Sequence, residues 1–592
     1  MSSEAVSARG LKWLSPDIND RDLSDYARAA GLDVPLAALL MARGVDVDAI
    51  EPFLNPTLKR EFPDPSSLKD MDKATELIAH AIENDRKVAV LADYDVDGAT
   101  SAAQLIRYFR AFDRELSLYV PDRIKEGYGP SPAAFQHLKD AGMDLVITVD
   151  CGAAAEAALS HGADIGLDIV VIDHHLMGEN IPACSALVNP NRPDCASGQG
   201  HLAAAGVVYV LLASLNRFFR TQRGADAKSL PDLLAYLDLC ALGTLCDMAP
   251  LEGVNRAFVV QGLRVVSQDE CPGVLALSTV SGRSAPRTVT DLTFGIGPQL
   301  NAGGRIGDPW LATKLLAETE FEKALPLAEQ LQRLNEARKE IEADIQHQAR
   351  IQISKYIETN PNAPVLIAGG EGWHPGVIGI VAGRLKDEFH KPVAVVGWGD
   401  EFGDVGKGSA RSVRGMNIGA AIAAASADGV LVTGGGHAMA GGFSVEPDKL
   451  DDLRAYLAKY FAEVDSELEE ARTVQISFDV LVSALSPEFL TTLEKSGPFG
   501  AAAPKPILRI RDAEIIFRRE IGKNHLKVAV DDGSGRLDCV CWRSLHTPMG
   551  DALKKGNCVD IIGYAERDTW KSRQGKEAVQ FEIFDVMQKT EK

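Results

Sequence analysis

Three short β-branched runs in the first third of the chain each end abruptly in polar residues. Lys87-Val88-Ala89-Val90-Leu91-Ala92 runs into Asp93-Tyr94-Asp95-Val96-Asp97-Gly98. Leu145-Val146-Ile147-Thr148-Val149 runs into Asp150-Cys151-Gly152, and Ile169-Val170-Val171-Ile172 into Asp173-His174-His175. Continuous apolar runs of this length predict buried parallel strands. The carboxyl ends of such strands face one crevice, so polar residues far apart in sequence are expected to meet there.

Further along, the pattern changes twice. From Phe321 to Ile357 a long helix is predicted, with Leu327, Leu331, Leu334, Ile341, Ile345 and Ala349 on one face and charge between them. The apolar seam lapses at Arg338, which favours a helix bridging two domains over a coiled-coil arm, and Asn362-Ala363-Pro364 closes it. A second α/β segment extends to about residue 465. Beyond it, Leu526, Val528 and Val530 alternate with polar or small residues, Asp531 to Gly535 makes a turn, and Leu537, Cys539 and Cys541 alternate in return. Val579, Phe581 and Ile583 repeat the pattern, predicting a C-terminal all-β unit of the OB type. The first 50 residues read as short amphipathic helices packed onto the domain next to them in the chain. The expected organisation is therefore a helical segment over 1–50, a catalytic α/β domain over 51–320, a connecting helix over 321–360, a smaller α/β domain over 361–465, and the β unit with its lead-in over 466–592.

Composition narrows the class. At 592 residues the chain is too long for one core. No run approaches ~18 uninterrupted apolar residues, and the N-terminal ten residues lack a signal peptide's apolar core, so neither membrane nor export is expected. Nine cysteines without a Cys-x-x-Cys pair fit reduced thiols in a cytoplasm. The net charge of −21 argues against nucleic acid as a partner until its distribution is counted. Residues 501–592 hold 17 Lys+Arg against 14 Asp+Glu, a net of +3, and the preceding residues carry −24. In the C-terminal unit, Arg567, Trp570, Lys571 and Arg573 interleave cations with a ring, which is what a single-strand platform needs.

The chemistry lies at the strand ends. A lone Asp there is usually a helix cap, and an adjacent His pair is usually structural. Asp-x-Asp-x-Asp-Gly also opens calcium loops, but the Glu such a loop requires is replaced here by Gln104. Convergence of all the clusters is what a cap or a surface pair does not explain. Carboxylates crowded together repel unless cations balance them. Oxygen ligands with one or two imidazoles suit Mg²⁺ or Mn²⁺ rather than structural zinc. Two such ions roughly 3.5–4 Å apart activate water and stabilise the leaving oxygen of a phosphodiester.

Asp173-His174-His175 is the triplet that names the DHH phosphoesterases. The wider set, from Glu51-Pro52-Phe53-Leu54-Asn55-Pro56 to the end of the chain, resembles the RecJ-type bacterial single-strand-specific 5′→3′ exonucleases within them. Trp373-His374-Pro375-Gly376-Val377-Ile378-Gly379, Gly408-Ser409-Ala410-Arg411-Ser412 and the Gly434 to Gly442 run around His437 resemble the accompanying DHHA1 domain.

The resemblance implies a fold: a DHH domain with a parallel sheet, a long connecting helix, a DHHA1 domain and an OB-fold. It implies two Mn²⁺ or Mg²⁺ ions held by Asp93, Asp95, Asp150, His174 and Asp247, with Asp97 and His175 completing the catalytic set. Arg305, Ser409 and Arg411 would hold the terminal 5′-phosphate, with Arg123 and His437 as further phosphate contacts. The implied activity is release of 5′-mononucleotides from single-stranded DNA in bacterial recombination and repair, with a single-stranded-DNA-binding protein and a helicase as partners. The rival readings are a DHH-type oligoribonuclease or cyclic-dinucleotide phosphodiesterase, and a non-catalytic replication or repair scaffold. Shorter enzymes of the first kind lack the long helix and the OB unit, and a scaffold has no reason to keep clustered charge.

Overall fold

The computed structural model describes residues 7–16, 18–268, 271–399, 403–462, 473–522, 524–568, 571 and 575–588. It divides into two compact units. The larger comprises Thr57–Asp465 with Gly500–Ala502, and the smaller Met1–Pro56, Ser466–Phe499 and Ala503–Lys592.

In the larger unit the three predicted strands are β1 (Val88–Ala92), β3 (Leu145–Val149) and β4 (Asp168–Ile172), joined by β2 (Leu116–Tyr119) and β5 (Ala186–Val188). All pair in parallel in the order β2-β1-β3-β4-β5. Strand order reverses between β1 and β3, the switch point at which a crevice opens beyond the strand ends. Register makes that edge sharp. Ala92 pairs with Val149, Val149 with Ile172, and Ile172 with Val188. Consequently Asp93, Asp150, Asp173 and Asn189 stand side by side, one residue past the sheet.

Helix α1 (Val96–Arg110) starts directly at β1, where a Cβ at Gly98 would lie 2.4 Å from the Asp93 carbonyl oxygen. Helices α2 (Ala204–Gln222) and α3 (Leu237–Cys246) pack against α1. The stretch Ala227–Cys246 is apolar and long enough to be mistaken for a membrane span. It consists of two 3₁₀ turns and then α3, and Leu237 to Leu245 are buried in the core.

The predicted long helix is α4 (Phe321–Thr359). Its buried stripe runs Ala324, Ala328, Leu331, Asn335, Arg338, Glu342, Ile345, Ala349 and Ile353, so the apolar lapse at Arg338 lies inside the packed face. Arg338 donates to Glu342 (2.7 Å) and Asn335 (2.9 Å), and Arg384 also meets Glu342. Beyond α4, a mixed sheet of β6 (Leu366–Glu371), β7 (Val393–Trp398), β8 (Gly406–Arg411), β9 (Thr433–His437) and β10 (Ala440–Val445) has the order β9-β10-β8-β7-β6. Only β6 and β7 pair in parallel. Helix α5 (Pro375–Phe389) packs on β7 and β8.

The smaller unit is a closed barrel of β11 (Leu508–Ile521), β12 (His525–Asp531), β13 (Arg536–Cys541), β14 (Cys558–Arg567) and β15 (Val579–Gln588), with β11 pairing both β12 and β14. Every predicted inward residue, from Leu526 to Ile583, is in its core. The N-terminal segment belongs to this barrel and not to the domain next to it in the chain, which corrects the expectation from sequence. Lys12–Leu14 pairs with Thr473–Gln475, the Trp13 indole donates to Asp585 (3.0 Å), and Val34–Ala42 packs against Pro487–Glu494. An indole N–H and a buried carboxylate satisfy each other there, a contact that chain order does not reveal.

Candidate metal centre

The crevice of the first sheet gathers three overlapping groups: Asp93, Asp95 and Asp150; Asp150, His174 and His175; and Asp97, His174 and Asp247. Within each group, one donor atom per residue lies within 4.8 Å of the others. Asp150 and His174 are each shared between two groups. His174 Nε2 is 3.3 Å from Asp150 Oδ1 and 3.8 Å from Asp97 Oδ2, and its Nδ1 is 3.9 Å from Asp247 Oδ2. Asp93 Oδ1, Asp150 Oδ1 and His174 Nε2 are buried without a hydrogen-bond partner. Buried polar atoms left unpaired are costly, and three of them pointing into one crowded acidic site fit a divalent cation.

Backbone geometry aims these groups. Asp150 has φ +60°, which Asp tolerates better than most residues, and Gly152 follows at φ +110°. Asp95 caps α1, its Oδ1 accepting from the Asp97 and Gly98 N–H groups. Asp97 is fully buried and accepts from Ala204 N (2.7 Å) and Ala205 N (2.9 Å) at the start of α2. Asp247 stands at the C-terminal end of α3, where the helix dipole disfavours a carboxylate that has no cation nearby.

Electrostatics agree with the geometry. Burial and then the Asp247 charge push Asp97 up to about 7, and burial and then Asp95 push Asp247 up to about 7. Asp93 and Asp150 rise well above the usual carboxylate range for the same two reasons, burial and neighbouring carboxylates. Asp173 is different. Although burial opposes ionisation, hydrogen bonds from His175 and from the Ala153 and His175 N–H groups hold it below the usual range. His175 Nδ1 lies 2.8 Å from Asp173 and its Nε2 3.3 Å from the Tyr128 hydroxyl; burial lowers the His175 pKa, but the Asp173 bond outweighs it and raises the group to about 9, so the ring is charged at neutral pH. The Cys151 thiol is fully buried, points at backbone carbonyls and is pushed up, so it takes no part.

Arginines line the same unit nearby. Arg305 donates to the Gly376 carbonyl (3.1 Å), and a Cβ at Gly304 would lie 2.5 Å from the Tyr94 carbonyl oxygen, so this turn is pressed against the Asp93 to Asp95 strand end. Burial and then Arg123 and Arg338 lower Arg305 to about 10, and Arg411 is lowered by burial and Arg123. Mutual repulsion of this kind is relieved by a bound anion. Arg411 donates to Ser409 Oγ (3.0 Å), both facing Gly379 of α5, and the Arg123 guanidinium lies 5.1 Å over the Tyr94 ring.

His437 stands exposed at the β9–β10 hairpin, its Nδ1 accepting from the Met439 N–H (3.3 Å). The glycines around it have a packing reason as well, since Cβ atoms at Gly434 and Gly441 would each meet Ile422 at 2.6 Å. In the barrel unit, Arg567 is paired bidentately with Glu494 and Lys571 with Asp538, so these two cations are already engaged. Trp570 and Arg573 lie outside the described residues.

Sequence reasoning missed Tyr128, whose hydroxyl donates to the Asp150 carbonyl (3.0 Å), and the asparagines Asn189 and Asn191 behind the histidine pair. For the asparagines a signal existed, because Ala186-Leu187-Val188 with Asn189 after it repeats the pattern of an apolar run with a polar stop.

Residues 87–244 match the DHH family N-terminal domain, 362–463 the DHHA1 domain and 476–585 the RecJ OB domain. Among curated proteins, the chain is 34% identical over 481 residues to the single-stranded-DNA-specific exonuclease RecJ of Escherichia coli, covering 79% of this chain and 82% of that one. It is 32% identical over 543 residues to RecJ of Bacillus subtilis, covering 91% of this chain and 66% of that longer protein. Among solved structures, RecJ from Thermus thermophilus in complex with Mn²⁺ superposes with a TM-score of 0.80 at 26% identity, over 98% of this chain and 80% of that one.

Proposed function

The chain belongs to the RecJ family of single-stranded-DNA-specific exonucleases, and from that premise we propose that it hydrolyses single-stranded DNA from the 5′ end, releasing 5′-mononucleotides. The observation that carries the reading is the row of carboxylates at one sheet edge with unpaired buried atoms at Asp93, Asp150 and His174. Asp93, Asp95, Asp150, His174 and Asp247 would hold two Mn²⁺ or Mg²⁺ ions. Such ions, when bound, lower the pKa of water and neutralise charge on the leaving oxygen.

The protein's own groups do the rest. Asp97, clamped by two N–H groups of α2, fixes a carboxyl group 3.8 Å from His174 Nε2. Asp173 accepts from His175 Nδ1 and keeps the ring in its charged, doubly protonated form, so that the remaining Nε2–H is available to a phosphate oxygen. Arg305, Arg411 and Ser409, with Arg123 opposite, hold the terminal 5′-phosphate through planar charge-assisted hydrogen bonds, which sets the register of the scissile bond. The barrel unit would hold the strand further along. Cytoplasmic location, a role in recombination and repair, and partnership with a single-stranded-DNA-binding protein and a helicase belong to the same inference.

The test is incubation with Mn²⁺ or Mg²⁺ and 5′- or 3′-labelled single-stranded DNA, RNA and a cyclic dinucleotide. Mononucleotides released from the 5′ end of DNA are expected. Preferential cleavage of short RNA or of the cyclic dinucleotide would overturn the reading, as would inertness on every substrate.

A further inference from the structure

The row at the sheet edge has a fourth member that carries no charge. Asn189 follows β5 as Asp173 follows β4, and its side chain is almost wholly buried. Its Nδ2 donates to the His175 carbonyl (2.9 Å), and its Oδ1 accepts from the Asn191 N–H (2.7 Å). The Asn191 amide in turn donates to the His174 carbonyl (2.6 Å) and to the Gly200 carbonyl (3.0 Å). Both carbonyls of the histidine pair are thus held by side-chain amides from one neighbouring loop. Buried carbonyls need donors of some kind. An amide fixed at its own strand end also sets a distance.

That distance reaches the far side of the site. Gly200 lies four residues before Ala204, whose N–H grips Asp97 together with that of Ala205. The Asn191 amide therefore spans the backbone that bears His174 and the segment that cradles Asp97, and His174 Nε2 stands 3.8 Å from Asp97 Oδ2. Gly200 is fitted to this amide. A Cβ there would meet Asn191 Oδ1 at 2.5 Å, and the next two nearest atoms, at 3.4 and 3.9 Å, are also those of Asn191. Gly200 is not among the positive-φ glycines, so the backbone itself would accept alanine.

We infer that Asn189 and Asn191 are positioning residues of the metal centre: they fix His174 and His175 relative to Asp97 and Asp150 and so set the affinity for the divalent cation. The inference rests on the proposed metal-dependent function. Groups that orient ligands from behind typically change metal affinity 10–100-fold when removed.

The experiment measures Mn²⁺ binding to the full chain without DNA, by calorimetry and by the electron paramagnetic resonance of free Mn²⁺. It compares wild type, Asn191→Ala, Gly200→Ala and the double variant, with circular dichroism and melting to establish folding. Asn191→Ala is expected to weaken Mn²⁺ binding about 10–100-fold, to lower kcat at limiting Mn²⁺ with KM for DNA unmoved, and to recover as Mn²⁺ is raised. Gly200→Ala should weaken binding in the wild-type background and cost nothing further beside Asn191→Ala, because the atom it strikes is gone. Should Asn191→Ala not fold, Gly200→Ala carries the test by itself. Wild-type Mn²⁺ affinity in a folded Asn191→Ala or Gly200→Ala protein would overturn the inference, as would an undiminished Gly200→Ala penalty in the double variant. Absence of Mn²⁺ binding by the wild type would instead overturn the metal reading beneath it.

Discussion

In the cation-free protein, stability should fall as pH rises from 5 to 7, and Mn²⁺ should reverse the fall. Asp97 is buried against Asp247 and lies at about 7, against an ordinary 3.8. The folded state therefore keeps a proton that the unfolded chain has lost, and an acid with a raised pKa loses stability as pH climbs from its unfolded value to its folded one. At 1.36 kcal/mol per pH unit the whole interval is worth about 4 kcal/mol, of which about 2 kcal/mol falls between pH 5 and 7, since half the proton is still bound at pH 7. His175, raised to about 9, acts in the same direction at higher pH, since its stabilising charge is complete below about 6.5 and lost as pH passes 9.

For a folding unit of about 400 residues, at ~2.1 cal/mol/K per residue, 1 kcal/mol moves Tm by about 1 °C, so the Asp97 contribution is a decline of about 2 °C. Free Mn²⁺ at one hundred times its pH 7 Kd adds about 2.7 kcal/mol. At pH 5 the group is almost wholly protonated instead of half, which weakens binding about 50-fold relative to pH 7 and leaves about 0.7 kcal/mol. The assay is a melting series with and without Mn²⁺ at constant ionic strength. A cation-free Tm that is flat or rising from pH 5 to 7, or an equal Mn²⁺ increment at both pH values, would refute the reasoning.

Asp150→Ala should abolish hydrolysis while circular dichroism stays unchanged, since it removes a donor shared by two of the three groups; a folded variant with wild-type turnover would exclude Asp150. Arg411→Ala should cost about 10-fold or more on 5′-phosphorylated strands and less on 5′-hydroxyl strands, which parallel kcat/KM measurements decide. A fragment spanning 57–465 should bind Mn²⁺ as the full chain does, cleave short oligonucleotides, and show a flatter dependence of long-strand affinity on salt, measured by titration. A cut at 465 alone would strand Trp13 and helix Val34–Ala42 without their partners in the barrel, and such a protein is expected to aggregate.

Local pattern was enough for the strands that carry the site, because a buried parallel strand must be apolar throughout and the first residue past it need not be. It was also enough for the barrel, where inward residues alternate, and for the extent of α4, whose periodicity survives polar residues in its stripe. The nature of that polar interruption was not legible: Arg338 and Glu342 look like surface charge until tertiary packing buries them against Arg384. The register that aligns Asp93, Asp150, Asp173 and Asn189 depends on pairing between strands as far apart in sequence as Val88 and Leu145, and no local pattern encodes it. For the same reason sequence could name the histidines but not what holds them. Asn191 and Gly200 are ordinary letters, and their role exists only as a distance of 2.5 Å between an amide oxygen and a side chain that is not there. The N-terminal segment obeys the same logic, since Trp13 finds its acceptor at Asp585 at the opposite end of the chain. Sequence determines which residues can bury and which can bind; tertiary structure alone decides which of them meet, because burial is set by composition along the chain and contact by closure across it.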